Sequence, residues 1–188
     1  AAPMMKAAMA VRESKDAGSG AEAAAAAVQP RTNFAETAYF HPALRTGADG
    51  IAVIAFTLPQ SLTTWKFDAL AHTRDMDYGT MDTTVVARKE FMVQPALPRF
   101  VRRGDRTELP VTLRNLSEKD IEVALNCLLT DARSGAEVVR MSQKLRLGAG
   151  KSQAVTFPYA ADAAGPLLVC RITAAGDGFS DGEEHYLP

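Results

Sequence analysis

Apolar and polar residues alternate with a period of two through much of this chain, in short runs separated by turn sequences. This period places successive side chains on opposite faces of a β-strand, whereas a helix would repeat every three to four residues. Between residues 91 and 188 the alternation predicts seven strands, at Phe91–Arg99, Thr107–Asn115, Asp120–Asp131, Glu137–Leu147, Ser152–Ala161, Pro166–Ala175 and Gly178–Leu187. Seven short strands in 98 residues are typical of an immunoglobulin-like or fibronectin-like sandwich.

Turn signals rich in Gly, Asp, Asn and Ser separate these strands: "RRGDR", "NLSEK", "DARSGAE", "GAGK" and "ADAAG". This half of the chain has no Trp, which excludes the Cys–Trp–Cys core of antibody domains. The expected fold class is therefore all-β, with tandem antiparallel β-sandwiches of the immunoglobulin or fibronectin type.

Residues 33–90 show the same alternation and predict four strands, in "ETAYFHPALRT", "IAVIAFTLP", "TTWKFDALAHT" and "TTVVARKEF". In the third of these, Trp65 and Phe67 point to one face, which we expect to be the core. Four strands in 58 residues bury too little surface to close a core and leave long open edges. We therefore expect the remaining strands of this first unit to lie upstream of residue 1.

Residues 1–32 contain no aromatic residue, no Leu and no Ile. Two alanine-rich pieces have helix propensity, but "DAGSGAE" and Pro30 interrupt them before either reaches the roughly 12–15 residues that an isolated helix needs. The chain is thus expected to divide into a flexible segment at 1–32, part of a sandwich at 33–90 and a complete sandwich at 91–188.

Charge and motif content exclude several classes of function. The formal net charge is −1, from 21 basic and 22 acidic residues, which gives no electrostatic case for binding nucleic acid or an anionic membrane. The apolar runs are far shorter than the roughly 20 residues of a membrane span. The spacing of the two Cys and three His residues matches no metal motif, and no phosphate loop or nucleophile elbow occurs. We expect no catalytic activity, no cofactor and no metal.

Cys127 and Cys170 fall on the predicted third and sixth strands of the second sandwich, and both point inward by alternation. Those strands are commonly neighbours, so the two residues form either a disulfide or a pair of buried free thiols. The tripeptide Arg103-Gly104-Asp105 lies between two strands, where a turn with a structural role is the simpler interpretation than an integrin-type recognition site.

The stretch "RTNFAETAYFHPALRTGADGIAVIAFTLPQSLTTWKFDALAHTRDMDYG" resembles the segment that follows the bait region in the alpha-2-macroglobulin family. "EFMVQPALPRFVRRGDRTELPVTLRN" is similar to the start of the next macroglobulin-like domain, and "SDGEEHYLP" to its close in bacterial members. The family-motif positions are Phe34, Glu36, Thr37, Tyr39, Pro59 and Trp65. The resemblance implies tandem macroglobulin-like sandwiches, with residues 33–90 as the second half of the bait-hosting domain and 1–32 as the end of the bait region. Neither cysteine matches the family's thioester motif.

A bait segment is a stretch that proteases can cut, and an extended, locally unfolded peptide is what they require. The candidate cleavage residues suit several kinds of specificity pocket: Met4, Met5, Lys6, Arg12, Glu13, Lys15 and Arg31. The resemblance implies a bacterial, broad-spectrum endopeptidase inhibitor whose partners are proteases and the neighbouring domains of its own chain. It further implies export to the periplasm, cell envelope or extracellular space, with or without a lipid anchor.

Two alternatives remain open from the residues alone. Residues 1–32 have the composition of a passive linker. The sandwiches could then be a structural or adhesive spacer of a cell-envelope surface protein, with no effect on proteases.

Overall fold

The computed structural model describes residues 28–162 and 165–188, and all regular secondary structure in these residues is β-strand. The alternating sequence pattern accounts for this, since each strand can bury one face. The nine strands are β1 (Thr64–His72), β2 (Tyr78–Val86), β3 (Phe91–Pro95), β4 (Arg106–Asn115), β5 (Ile121–Asp131), β6 (Glu137–Leu147), β7 (Ser152–Ala160), β8 (Leu168–Gly176) and β9 (Phe179–Leu187).

All strand pairs are antiparallel, and they form three sheets. One sheet has the order β3-β4-β7 and a second has the order β6-β5-β8-β9. Together they make the second sandwich, and the third sheet is the separate hairpin β1-β2. The all-β prediction and the seven strands predicted after residue 90 are confirmed. The main difference is that β3 ends at Pro95 rather than Arg99, because proline has no N–H to continue a ladder.

The core of the second sandwich lies between its two sheets. Strand β5 shows the underlying pattern, because its odd-numbered residues from Ile121 to Leu129 are buried and Glu122, Ala124 and Asn126 between them are exposed. The largest fully buried side chains come from both sheets: Phe157, Leu109, Leu113, Ile121, Leu125, Leu129, Leu147, Leu168, Ile172, Leu187, Val93 and Val111. Burial of these faces is the main stabilising contribution to such a domain.

The two open sides of the sandwich differ. On one side β6 meets β7, where the Nε2 of Gln143 donates to the carbonyl of Thr156 at 3.1 Å. On the other side, which we call the β3/β9 seam, the backbone N–H of Val93 donates to Oδ2 of Asp181 at 2.9 Å. A third segment of the chain, at Arg31, enters this seam.

The first unit, residues 33–90, matches the sequence prediction only in part. Strand β1 forms with Trp65 and Phe67 on its more covered face, as predicted. The predicted strand 83–91 is shifted, since β2 begins at Tyr78 and a tight turn joins it to β1, with Thr73 N–H donating to the Asp77 carbonyl at 2.8 Å.

The predictions of strands at 36–46 and 51–59 were wrong, because neither segment joins a β-ladder. A ladder requires a neighbour with free backbone groups, and neither segment finds one among the described residues. Burial nevertheless alternates in the second of them, where Ile54 and Phe56 are more covered than Val53 and Ala55. The side-chain pattern of a strand is therefore present without its hydrogen-bonded partner.

Candidate functional site

Arg31 pairs with the outer edge of β9, which is the last strand of its sheet. The backbone N–H of Arg31 donates to the carbonyl of Gly182 at 2.8 Å, and the Arg31 carbonyl accepts from Glu184 N–H at 2.9 Å. The bridge between Arg31 and Glu183 is parallel. Both main-chain hydrogen-bonding groups of Arg31 are thus paired with a strand about 150 residues away in sequence.

The side chain of Arg31 enters the β3/β9 seam and is only 5% exposed. Its Nε and Nη2 donate to the two carboxylate oxygens of Asp181 at 3.1 and 2.9 Å. Its Nη2 also lies 2.8 Å from Oε1 of Glu183. The planar guanidinium fork suits such two-point contact with a carboxylate, which a lysine ammonium could not reproduce.

The Asp181 carboxylate accepts hydrogen bonds from several donors. Its side chain is fully buried, and it accepts from Lys89 Nζ at 3.0 Å as well as from Arg31 and the Val93 backbone. The Nη2 of Arg31 also donates to the Val93 carbonyl at 3.0 Å. We call Arg31, Lys89, Asp181 and Glu183 the Arg31 cluster. Buried charges persist in proteins when they are paired and hydrogen-bonded in this way.

Gln60 connects the first unit to the same segment. Its carbonyl accepts from Arg31 Nη1 at 3.1 Å, and its Oε1 accepts from the N–H groups of Thr32 and Asn33 at 2.8 and 3.1 Å. Phe34 then stacks on the ring of His185, with centroids 4.6 Å apart. Residues 31–34 are therefore held by both the first unit and the second sandwich.

A second feature of the first unit is a cavity of about 200 Å³ over the more covered face of the β1-β2 hairpin. Tyr39 and Phe56 line it with their rings 5.2 Å apart, and Trp65 and Phe67 form its floor. Trp65 is half-buried, and its Nε1 is shielded from solvent without a hydrogen-bond partner among the described residues. The face expected to be core is thus only partly covered.

The candidate cleavage residues Met4, Met5, Lys6, Arg12, Glu13 and Lys15 lie outside the described residues. Arg31, the last candidate, differs from the expectation of an accessible scissile residue, because its side chain is buried and its backbone is bonded on both sides. The sequence shows a basic residue after a low-complexity stretch. The sequence does not indicate that this residue pairs with Asp181 and Glu183.

The family-motif residues take up separate positions. Phe34 stacks on His185, Pro59 is buried, and Glu36, Thr37, Tyr39 and Trp65 line the cavity. The structure brings four of the six together and places Phe34 beside the Arg31 cluster. Sequence reasoning missed Gln60, Lys89, Asp181 and Glu183. The only available signal is the acidic run "DGEE" at residues 181–184, which does not indicate a partner by itself.

Cys127 and Cys170 are buried on the neighbouring strands β5 and β8, as the alternation predicted. In the register, Cys127 lies opposite Ile172 and Cys170 opposite Leu129, so the cysteines are diagonal neighbours. Both are free thiols here. A hydrogen bond from Cys170 lowers the pKa of Cys127, and the same contact together with burial raises the pKa of Cys170. The disulfide stays a prediction.

The Arg-Gly-Asp tripeptide forms a closed turn. The Arg102 N–H donates to Oδ2 of Asp105 at 2.8 Å, and Gly104 has a φ of 90°, which favours glycine. Within residues 28–162 and 165–188, no three His, Cys, Asp or Glu side chains are grouped closely enough to hold a metal ion. The same residues include no helix of the length and apolarity that a bilayer crossing requires.

Comparison with known proteins agrees with this fold. The model of the "Alpha-2-macroglobulin family" matches residues 37–127. An alpha-2-macroglobulin homolog of Nostoc sp. is 31% identical over 168 residues, or 89% of this chain. The alpha-2-macroglobulin of Thermotoga maritima is 26% identical over 84% of the chain, and complement C3 of Lethenteron camtschaticum is 28% identical over 56%.

The described residues therefore form antiparallel β-sheets of the macroglobulin-like sandwich type. The chain belongs to the alpha-2-macroglobulin family. It spans about a tenth of the length of its curated relatives, 9% of the Nostoc protein and 10% of the Thermotoga protein. A solved β-glucosidase from Listeria innocua aligns with 53% of this chain and 16% of its own, at 22% identity and a TM-score of 0.38, which is too weak a likeness to support an argument.

Proposed function

We propose that this chain is part of a broad-spectrum endopeptidase inhibitor that offers residues 1–32 as a cleavable bait. Cleavage of that segment would release a constraint and allow the full-length protein to enclose the protease. The observation that carries the proposal is that residues 1–32 lead directly into sheets of the alpha-2-macroglobulin family. The chain itself would act as substrate and scaffold, with proteases as partners and no catalytic role.

The geometry at Arg31 supports this proposal. A segment whose cleavage is to change the shape of a protein must be attached firmly at its end, because a slack attachment would transmit nothing. Arg31 attaches the segment to Asp181 in the second sandwich and to Gln60 in the first unit. Arg31 itself makes both contacts, so a release upstream would act on both units together.

The open features of the first unit fit the proposed domain boundaries. Among the residues that the structure describes, the hairpin β1-β2 pairs with no third strand, the segment 51–59 alternates in burial without a ladder, and the cavity beside Trp65 is incompletely covered. We propose that strands from upstream in the full-length protein complete this unit, so that residues 1–32 form the end of an insertion within it. We propose that the full-length protein is exported to the cell envelope, where such an inhibitor would meet foreign proteases.

The test uses the full-length protein with trypsin and with elastase, each at sub-stoichiometric concentration. Cut sites are mapped by mass spectrometry, compaction is followed by small-angle scattering, and residual protease activity is measured on a large and on a small substrate. Early cuts within residues 4–27, followed by compaction and by protection of the large substrate alone, are the expected result. Cuts there without compaction or inhibition would refute the proposal and favour the spacer.

A matched variant separates bait cleavage from general binding. The combined change Lys6→Gln, Arg12→Gln and Lys15→Gln removes the basic residues upstream of Arg31 that trypsin requires but leaves Met4 and Val11 for elastase. Inhibition of trypsin should fall while inhibition of elastase persists. Equal inhibition of both proteases by this variant would show that cutting at Lys6, Arg12 or Lys15 is not the trigger for trypsin.

A further inference from the structure

The bond between Arg31 and Thr32 carries the basic residue that trypsin-like proteases require, yet Arg31 is held by main-chain hydrogen bonds and by a buried ion pair. A protease binds its substrate as an extended strand and uses the substrate's own main-chain groups. In this protein the Arg31 N–H and carbonyl are already bonded to Gly182 and Glu184. The protease and strand β9 therefore compete for the same backbone.

The side chain of Arg31 adds to the free-energy cost of exposing this bond to a protease. Trypsin-like pockets take the whole basic side chain, so the guanidinium would have to leave Asp181 and Glu183, whose side chains are 0% and 11% exposed. Removal of the guanidinium would leave both carboxylates with fewer hydrogen-bond partners. It would also break the hydrogen bonds from Arg31 to the carbonyls of Val93 and Gln60. Cleavage of a folded protein follows the population of the opened state.

We propose that the Arg31 cluster is a protease-resistant anchor that sets the C-terminal limit of the cleavable segment. It shields the Arg31–Thr32 bond, so that every productive cut falls upstream. It also keeps the chain from Arg31 onward on β9 after such a cut. The shielding is independent of the proposed inhibitory function, whereas its role as the limit of a bait rests on that function.

The anchor is tested by trypsin cleavage of the folded full-length protein, with mass spectrometry of the fragment that begins at Thr32. A synthetic peptide with the sequence of residues 25–38 gives the rate for the same bond without the anchor. We expect the bond in the protein to be cut at least roughly a hundredfold more slowly than in the peptide, as loss of a buried ion pair implies. Similar rates in the two would overturn the proposal.

Two variants locate the protection in the cluster. Asp181→Asn removes the charge that faces Arg31, and Glu184→Gln is its control, because Glu184 lies on the same strand but pairs with exposed Arg171. The first should speed cleavage at Arg31 by tenfold or more, and the second should leave it unchanged. Asp181→Asn is also capable of unfolding the domain. The cleavage measurement at residue 31 is therefore repeated with Arg31→Lys, because trypsin still accepts lysine but an ammonium group cannot make the two-point contact of the guanidinium. If the bond after residue 31 were cut as slowly in Asp181→Asn and in Arg31→Lys as in the wild type, the Arg31 cluster would not be the cause of its resistance.

Retention after cutting is followed by amide hydrogen exchange at Arg31 and Glu184, whose N–H groups bond across the edge of β9. Their protection should be the same before and after upstream cleavage, and its loss would overturn the anchoring of the cut end. Shielding with no inhibition of proteases would leave the anchor standing and refute only the proposed function. Inhibition with rapid cutting at Arg31 would refute only the anchor.

Discussion

Two ion pairs on strand β9 offer a direct test of how much the Arg31 cluster stabilises the fold. Asp181 is fully buried and accepts from four donors, two of them on Arg31. Glu184, three residues later, pairs with Arg171, and these side chains are 22% and 49% exposed. Both carboxylates lie on the same strand and pair with an arginine, whereas their burial and the number of their donors differ.

Asp181→Asn should lower the free energy of unfolding by about 3 kcal/mol. The lost charge leaves the buried guanidinium with one carboxylate partner among the described residues, Glu183, instead of two. The new amide group places N–H donors against the donors of Arg31 and Lys89, and breaking a buried pair costs about 3–5 kcal/mol. Glu184→Gln should lower it by less than about 1 kcal/mol, as for other exposed pairs. For a sandwich of about 100 residues the first change corresponds to a fall in Tm of about 12–24 °C.

Urea unfolding followed by circular dichroism measures both values, with an unchanged m-value as the check that only stability has changed. A double-mutant cycle with Arg31→Gln should show a coupling energy above about 1 kcal/mol for the pair with Asp181. The reasoning would be refuted if Asp181→Asn were no more destabilising than Glu184→Gln, because burial would then contribute nothing to the strength of the pair.

Three further predictions concern other parts of the second sandwich. Gly176→Ala should lower the free energy of unfolding by about 3 kcal/mol or more, because the added Cβ would lie 1.7 Å from the Glu122 carbonyl oxygen and the backbones of β5 and β8 would have to separate. A urea-unfolding midpoint equal to that of the wild type would contradict this close approach. Cys127 and Cys170 should resist a thiol reagent in the native protein and react with it in urea, since both are buried and the pKa of Cys170 is raised by its contact with Cys127 and by burial; a native mass lower by two hydrogen atoms would instead show the disulfide. Bonds from Ser134 and Arg133 lower the pKa of Asp131, so its contribution to stability is present above the ordinary carboxyl pKa and is lost as pH falls through the lowered one; Asp131→Ala should therefore be destabilising at pH 7 and cost less at pH 2, and an equal cost at both would count against the ionised form.

Much of the second sandwich could be predicted from the sequence because its strands are specified locally. In β5, alternation from Ile121 to Leu129 determines which side chains face the core, and the flanking turn sequences determine where the strand ends. The inward positions of Cys127 and Cys170 followed from the same count. The family resemblance rested on local motifs of the same kind.

The first unit could not be predicted equally well, although its alternation is just as clear. Residues 51–59 have the side-chain pattern of a strand, but a strand also needs a partner for its backbone groups. That requirement depends on other segments and is not contained in the residues themselves.

By itself the sequence determined the all-β fold, the seven strands of the second sandwich and the family, because each depends on periodicity or on short motifs that are read along the chain. Only the tertiary structure decided the role of Arg31. A basic residue after an alanine-rich stretch predicts a cleavage site, but the Arg31 side chain is buried because Asp181 and Glu183 pair with it in the β3/β9 seam. Such a pairing joins residues 150 positions apart, and no local pattern specifies it.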